Sequence, residues 1–176
     1  MEPLRPVKLR DPVPPAVDCG RDEQNEHLRS RACQDQEQRV STTYLLDHFG
    51  AVAGYVTMCM DSLPLTRRER GLAIRYKYVS ALKLAQLGID LRFQGKGLGT
   101  RAVGIVTRLA QRIGEQVGCR YLTVDAQRDL VPWYEGIGFK HNELRQQQRI
   151  AEAIQHRRDP ETIPVSMRLD LREPGQ

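Results

Sequence analysis

The chain has 176 residues, 40% apolar and 28% charged, which suits one domain with a buried core. No apolar run reaches the roughly 18–20 residues of a membrane span. The first residues lack the apolar stretch of a secretory signal, so the cytoplasm is the expected compartment and no membrane partner is expected. The 27 lysines and arginines outweigh 22 aspartates and glutamates, leaving +5, a balance that suits a phosphate-rich cofactor, RNA or an acidic protein.

Residues 1–16 carry five prolines and read as a tail or an edge segment. From Asp22 to Arg39 the chain is polar and helix-competent. Thr42–Leu46 and Ala51–Met60 read as a hairpin turning at His48-Phe49-Gly50. An arginine-rich connection, irregular or helical, spans Leu63–Arg75, and Leu82–Ile89 is an apolar run that suits a buried strand. Asp90–Gly99 then leads into a strong amphipathic helix from about Thr100, with Ala102, Val103, Ile105, Val106, Leu109, Ala110, Ile113 and Val117 on one face. Gly118 is its C′ residue. A strand over Tyr121–Ala126 follows, then a short helix from Val131 with Pro132 at N1. Phe139 opens another strand, Asn142–Arg158 reads as a helix with Leu144, Ala151 and Ile154 near one face, and the last strand alternates over Pro164–Leu171. Strand–helix–strand through 84–126 implies a parallel pair with a right-handed crossover.

Cysteines 19, 33, 59 and 119 and the four histidines are too scattered for a metal site, and none is expected. The chemistry concentrates instead at Gln94-Gly95-Lys96-Gly97-Leu98-Gly99-Thr100. Three glycines in five positions let successive amides turn inward, and the following helix adds its free N–H groups and positive end. Such a site suits a pyrophosphate. The Walker string is absent. A dinucleotide fingerprint is disfavoured more weakly, by Ala102 at its third glycine and by Cys119-Arg120-Tyr121 where an acidic ribose partner is expected.

Gln94-x-x-Gly97-x-Gly99 resembles the Gln/Arg-x-x-Gly-x-Gly/Ala motif of the GNAT superfamily of acetyl-CoA-dependent acetyltransferases. Trp133-Tyr134-Glu135-Gly136-Ile137-Gly138-Phe139 is similar to its Phe-Tyr-Glu-x-x-Gly-Phe signature. The resemblance implies an α/β (α+β) GNAT fold: a mixed sheet of about six to seven strands flanked by helices, with a splayed parallel pair at the cofactor site. It implies one domain over 17–172, within which residues 140–163 form a polar helical insertion that the resemblance does not cover. Backbone groups of Leu87, Gly88 and Ile89 would pair with pantetheine, and Gln94, Gly95, Lys96, Gly97, Leu98, Gly99 and Thr100 would hold the pyrophosphate of acetyl-CoA. Thr100 would also cap the helix. Gly88 would let the ligand approach the backbone closely.

Tyr134 would be the catalytic acid, since a phenol of pKa about 10 keeps a proton to give to the departing thiolate. Asp125 and Glu135 are possible general bases, neither of them obvious. Val17-Asp18-Cys19-Gly20 with Asn25 and Leu28, and the lead-in from Tyr78 to Asp90, resemble the acetyltransferase toxins of toxin–antitoxin modules. Glu26-His27 departs from the usual apolar residue there. That branch implies acetylation of the α-amino group of aminoacyl-tRNA, a small ribbon-helix-helix antitoxin and a homodimer. Arg75, Lys77 and Arg92 would then bind the substrate RNA. A small-molecule or protein amine is the alternative acceptor.

Overall fold

The computed structural model describes residues 4–10, 17–72 and 74–172, which form two compact units. The first comprises Met1–Cys59 with Leu84–Leu109, and the second Met60–Lys83 with Ala110–Gln176.

In the first unit, β1 (Leu4–Lys8) lies antiparallel to β2 (Thr42–His48). Of the two readings of this segment, a tail or an edge, Leu4–Lys8 takes the edge, a place in a sheet that accepts Pro6 without losing a ladder hydrogen bond. Pro12, Pro14 and Pro15 lie outside the described residues. The helical stretch after Asp22 divides into α1 (Asp22–Glu26), a π-helical turn (His27–Arg31) and α2 (Ala32–Glu37). Strand β2 joins β3 (Ala51–Pro64) through Phe49 and Gly50, with φ of 57° and 77°. Two positive φ values in a two-residue loop are the hairpin turn that matches strand twist. Leu9, Val17, Cys19, Leu28, Ala32 and Tyr55 form this unit's buried cluster.

Strand β3 is longer than expected because Leu63 is itself buried, within a cluster with Leu65, Ala81 and Tyr121. A one-turn helix, α3 (Arg67–Arg70), follows, closed by a capping box between Thr66 and Glu69. Strand β4 (Tyr78–Ile89) starts four residues before the apolar run, since a strand can begin exposed. Helix α4 (Leu98–Val117) buries Leu98, Ala102, Val103, Val106 and Ala110, whereas Val117 at its end is exposed. Gly118, with φ 77°, closes the helix as expected, its N–H bonded to the Gly114 carbonyl at 2.9 Å.

In the second unit, β5 (Tyr121–Ala126) runs parallel to β4: the Arg120 N–H donates to the Ser80 carbonyl at 3.0 Å. Helix α5 (Val131–Gly136) has proline in its first turn. Strand β6 (Lys140–His141), helix α6 (Glu143–Gln155) and strand β7 (Val165–Asp170) complete the described chain. Strand β7 pairs antiparallel with β5 from Tyr121↔Asp170 to Ala126↔Val165, and with β6 on its other edge. The strand order is β1-β2-β3-β4-β5-β7-β6, a seven-stranded mixed sheet as the resemblance implied.

Candidate active site

The end of β4 is built for close packing. A Cβ on Gly54 would stand 2.2 Å from the Gly88 carbonyl, and one on Gly88 would stand 2.4 Å from the Cys19 sulfur and 2.7 Å from the Tyr55 ring. The missing side chain at 88 is therefore filled by protein. Close approach of a ligand is not needed to explain it. The Cys19 thiol is pushed up to about 11 by this burial, so it packs as a neutral group.

The segment before α1 is clasped onto the same strand end. Asp18 accepts from the Gly20 N–H at 2.8 Å and the Asn25 amide at 2.9 Å, and Asn25 accepts from the Cys19 N–H at 2.9 Å. The Leu91 N–H donates to the Asp18 carbonyl at 2.8 Å, and Gln94 donates to the carbonyls of Cys19 and Ile89 at 3.1 and 2.8 Å. The Asp-Cys-Gly…Asn string and the leading glutamine of the glycine motif are thus structural partners. Together they fix where the loop leaves the strand.

Beyond Gln94, Gly95 and Gly97 have φ of 72° and 73°, values that l-residues with a side chain rarely adopt. Nothing lies within 4 Å of a Cβ built on either, so the loop stays open on those sides. Helix α4 begins at Leu98, whose buried side chain draws the helix start two residues ahead of Thr100. Thr100 therefore stands inside the first turn and does not cap it. The first-turn N–H groups have no acceptor within the helix, and this end carries the positive end of a 20-residue macrodipole.

The charged side chains nearby are engaged. Arg92 donates to both oxygens of Asp90, at 2.8 and 2.9 Å, and the hydrogen bonds from Arg92 hold that carboxyl down to about 2. The Lys96 ammonium donates to the Arg92 carbonyl at 2.9 Å and lies 5.5 Å from the centre of the Phe93 ring. Arg92, expected on the substrate, is used on its own strand end.

In the second unit, Tyr134 is only 4% exposed. Its ring stands edge-on to Trp133 and Phe139, with centroids 4.6 and 5.3 Å away, and its carbonyl accepts from the Phe139 N–H at 3.0 Å. Burial pushes the phenol up to about 12. The group is a proton donor throughout the physiological range.

The family model for the acetyltransferase (GNAT) domain matches residues 21–156. The chain belongs to the GNAT acetyltransferases. Among solved structures, this acetyltransferase is similar to a bacterial toxin with a TM-score of 0.75 at 14% identity, over 97% of this chain and 92% of that one. It is also similar to AtaT complexed with acetyl-methionyl-tRNAfMet, with a TM-score of 0.70 at 22% identity, over 78% and 87%. A third match is AtaTR bound with acetyl-CoA, with a TM-score of 0.65 at 24% identity, over 77% and 85%. At these identities the likeness is one of fold. No curated protein sequence matches the chain.

Both residues expected as possible bases have side-chain partners. Asp125 meets the Lys83 ammonium at 2.5 Å and the Arg149 guanidinium at 2.7 and 2.8 Å. Burial pushes its carboxyl up, but the bonds from Arg149 and Lys83 outweigh that and hold it low. Glu135 pairs with His141 at 3.0 Å on the surface.

Arg149 belongs to a network that sequence reading missed. Arg145, one turn earlier on α6, reaches Asp61 at 2.6 and 3.0 Å and the Ser62 carbonyl, and Asp61 also accepts from Thr123 at 2.6 Å. Gln146 accepts from the Ser166 N–H, and the buried Asn142 donates to the Ser166 hydroxyl. The inward stripe of α6 is thus Asn142, Arg145, Gln146, Arg149 and Ala153. The apolar stripe expected through Leu144, Ala151 and Ile154 does not face inward: Ala151 and Ile154 are exposed. A charge partner for the helix was legible in Asp61, Lys83 and Asp125, three ionisable residues within otherwise apolar strands. Arg75 and Lys77, exposed, precede the start of β4, whereas Leu87, Gly88 and Ile89 form its last turn of strand.

Proposed function

We propose that this acetyltransferase moves the acetyl group of acetyl-CoA onto the α-amino group of aminoacyl-tRNA. The observation that carries the cofactor half is the pair of left-handed glycines, 95 and 97, opening a 20-residue helix. Backbone amides of that loop would hold the pyrophosphate, and main-chain groups of Leu87, Gly88 and Ile89 the pantetheine. The amine nitrogen attacks the thioester carbonyl, the C–S bond breaks, the proton of Tyr134 goes to the departing sulfur, the newly acylated nitrogen loses a proton to solvent, and Tyr134 regains one from solvent.

The acceptor half is supported by the AtaT complex with acetyl-methionyl-tRNAfMet and by the missing base. An α-amine of pKa about 7.7–8.0 is partly neutral at pH 7, whereas a lysine near 10.4 must first be deprotonated. Asp125, held low by Arg149 and Lys83, is a weak base for that step, and Glu135 is bonded to His141. As AtaT is a toxin bound by the antitoxin AtaR, a translation-blocking role with a protein antidote follows as part of this reading.

Incubation with acetyl-CoA and charged tRNA, followed by mass spectrometry of the released aminoacyl-adenosine, should show an added acetyl group. Tyr134→Phe should lower kcat roughly 10²–10⁴-fold with little change in KM for acetyl-CoA. Transfer to peptide lysines or small amines but never to aminoacyl-tRNA would remove the acceptor reading. A Tyr134→Phe enzyme as fast as the parent would remove the acid.

A further inference from the structure

Between the core residues Ile74 and Val79 the chain turns four large side chains outward: Arg75, Tyr76, Lys77 and Tyr78. Tyr76 is 77% and Tyr78 56% exposed. The backbone beneath them is pinned. Arg70 donates to the Arg75 carbonyl at 3.0 Å, and the Leu65 N–H to the Lys77 carbonyl at 2.9 Å. Lys77 stands 5.6 Å from the centre of the Tyr78 ring. The two tyrosines line a cleft of about 770 Å³ together with Val79, Gly114, Leu171 and Arg172.

Exposed aromatic rings beside cations over an apolar floor are what an unpaired nucleobase and its flanking phosphates need. A protein partner that merely buried the tyrosines would have no use for three exposed cations around them. Glu115 is the one carboxylate among the lining residues. It is exposed near the C-terminus of α4, and it can accept from an exocyclic amine as a carboxylate does from cytosine N4. Lys77 and Gly88 lie toward opposite ends of β4, so this cleft differs from the acetyl-transfer site.

We propose that the cleft is a second RNA contact, in which one unpaired base packs on Tyr76 and Tyr78 and Arg75, Lys77 and Arg172 meet its phosphates. The inference rests on the aminoacyl-tRNA reading only for the source of that RNA. The test uses the full chain, with uncharged tRNA and a short single-stranded oligocytidylate as probes in fluorescence anisotropy. The Tyr76→Ala/Tyr78→Ala variant should bind both roughly tenfold to a hundredfold more weakly, and Tyr76→Phe/Tyr78→Phe should restore binding, because stacking needs only the ring. Lys77→Gln should flatten the salt dependence by about one phosphate contact.

Unchanged affinity in the alanine variant overturns the inference. So does a shift from dimer to monomer in sedimentation with tRNA affinity intact, which would make the cleft a face for a second copy. Oligocytidylate binding that depends on the tyrosines, in a protein that acetylates no aminoacyl-tRNA, upholds the cleft and overturns only the acceptor reading.

Discussion

Two residues show how a glycine and a tyrosine take their meaning from what surrounds them. Gly88 carries no side chain because Cys19 and Tyr55 already occupy that space, at 2.4 and 2.7 Å from where a Cβ would sit. Gly88→Ala should therefore destabilise the protein by about 1–3 kcal/mol, the range for overpacking a tight core. Adding Cys19→Ala should recover part of that, as read by urea denaturation, and no recovery would mean that the Tyr55 contact alone sets the cost. The Tyr134 phenol is pushed up to about 12 by the burial of its ring. The acid role proposed for it predicts a pH–rate profile with no alkaline fall below about pH 10, the ordinary phenol value. The acid side should rise with deprotonation of an α-amine, through about pH 8. An alkaline limb near pH 9 would point to a different proton donor.

At the scale of elements, α6 is held by charge. Both Asp61 and Arg145 are nearly enclosed, with side chains 15% and 12% exposed, so removing one leaves the other desolvated and unpaired. Arg145→Met should cost about 3–5 kcal/mol. For a chain of this size that corresponds to a fall in Tm of roughly 6–20 °C by calorimetry. The double variant Asp61→Leu/Arg145→Met should lose clearly less than Arg145→Met alone, because no buried charge remains. Equal losses would show that the arginine matters for its packing. This docking turns Arg145 and Arg149 toward the carboxylates of Asp61 and Asp125.

For the whole molecule, acid is the expected weak point. Asp90 is held down to about 2 by Arg92, and Asp61, Asp125 and Asp170 are also held below the ordinary carboxylate range, each by an arginine. A carboxyl whose folded value is depressed adds stability that is fully present above its unfolded value of about 3.9 and is lost as pH falls through its folded value. The two units share these pairs: Asp90 in the first, the other three in the second. Circular dichroism should therefore show unfolding between about pH 4 and pH 2 in both. Asp90→Asn should remove the part of that acid sensitivity contributed by the first unit.

The amino-acid sequence by itself determined most of the elements and the glycine motif. Local periodicity marks α4, the left-handed glycines need only their own φ angles, and Tyr134 follows its proline-started helix at fixed spacing. Such features depend on neighbours a few residues away, so they can be read along the chain. What only the tertiary structure decided involves residues far apart in sequence. The Gly88 notch needs Cys19, the last turn of β4 needs Asp18 and Asn25, and α6 needs Asp61 and Asp125. The insertion was legible as a helix but not in its inward face, because apolar periodicity finds a stripe that packs by water exclusion and passes over one that packs by charge. The physical reason is common to all three. A side chain's burial and pairing are set by whatever the fold brings against it, and that is written nowhere in its own neighbourhood.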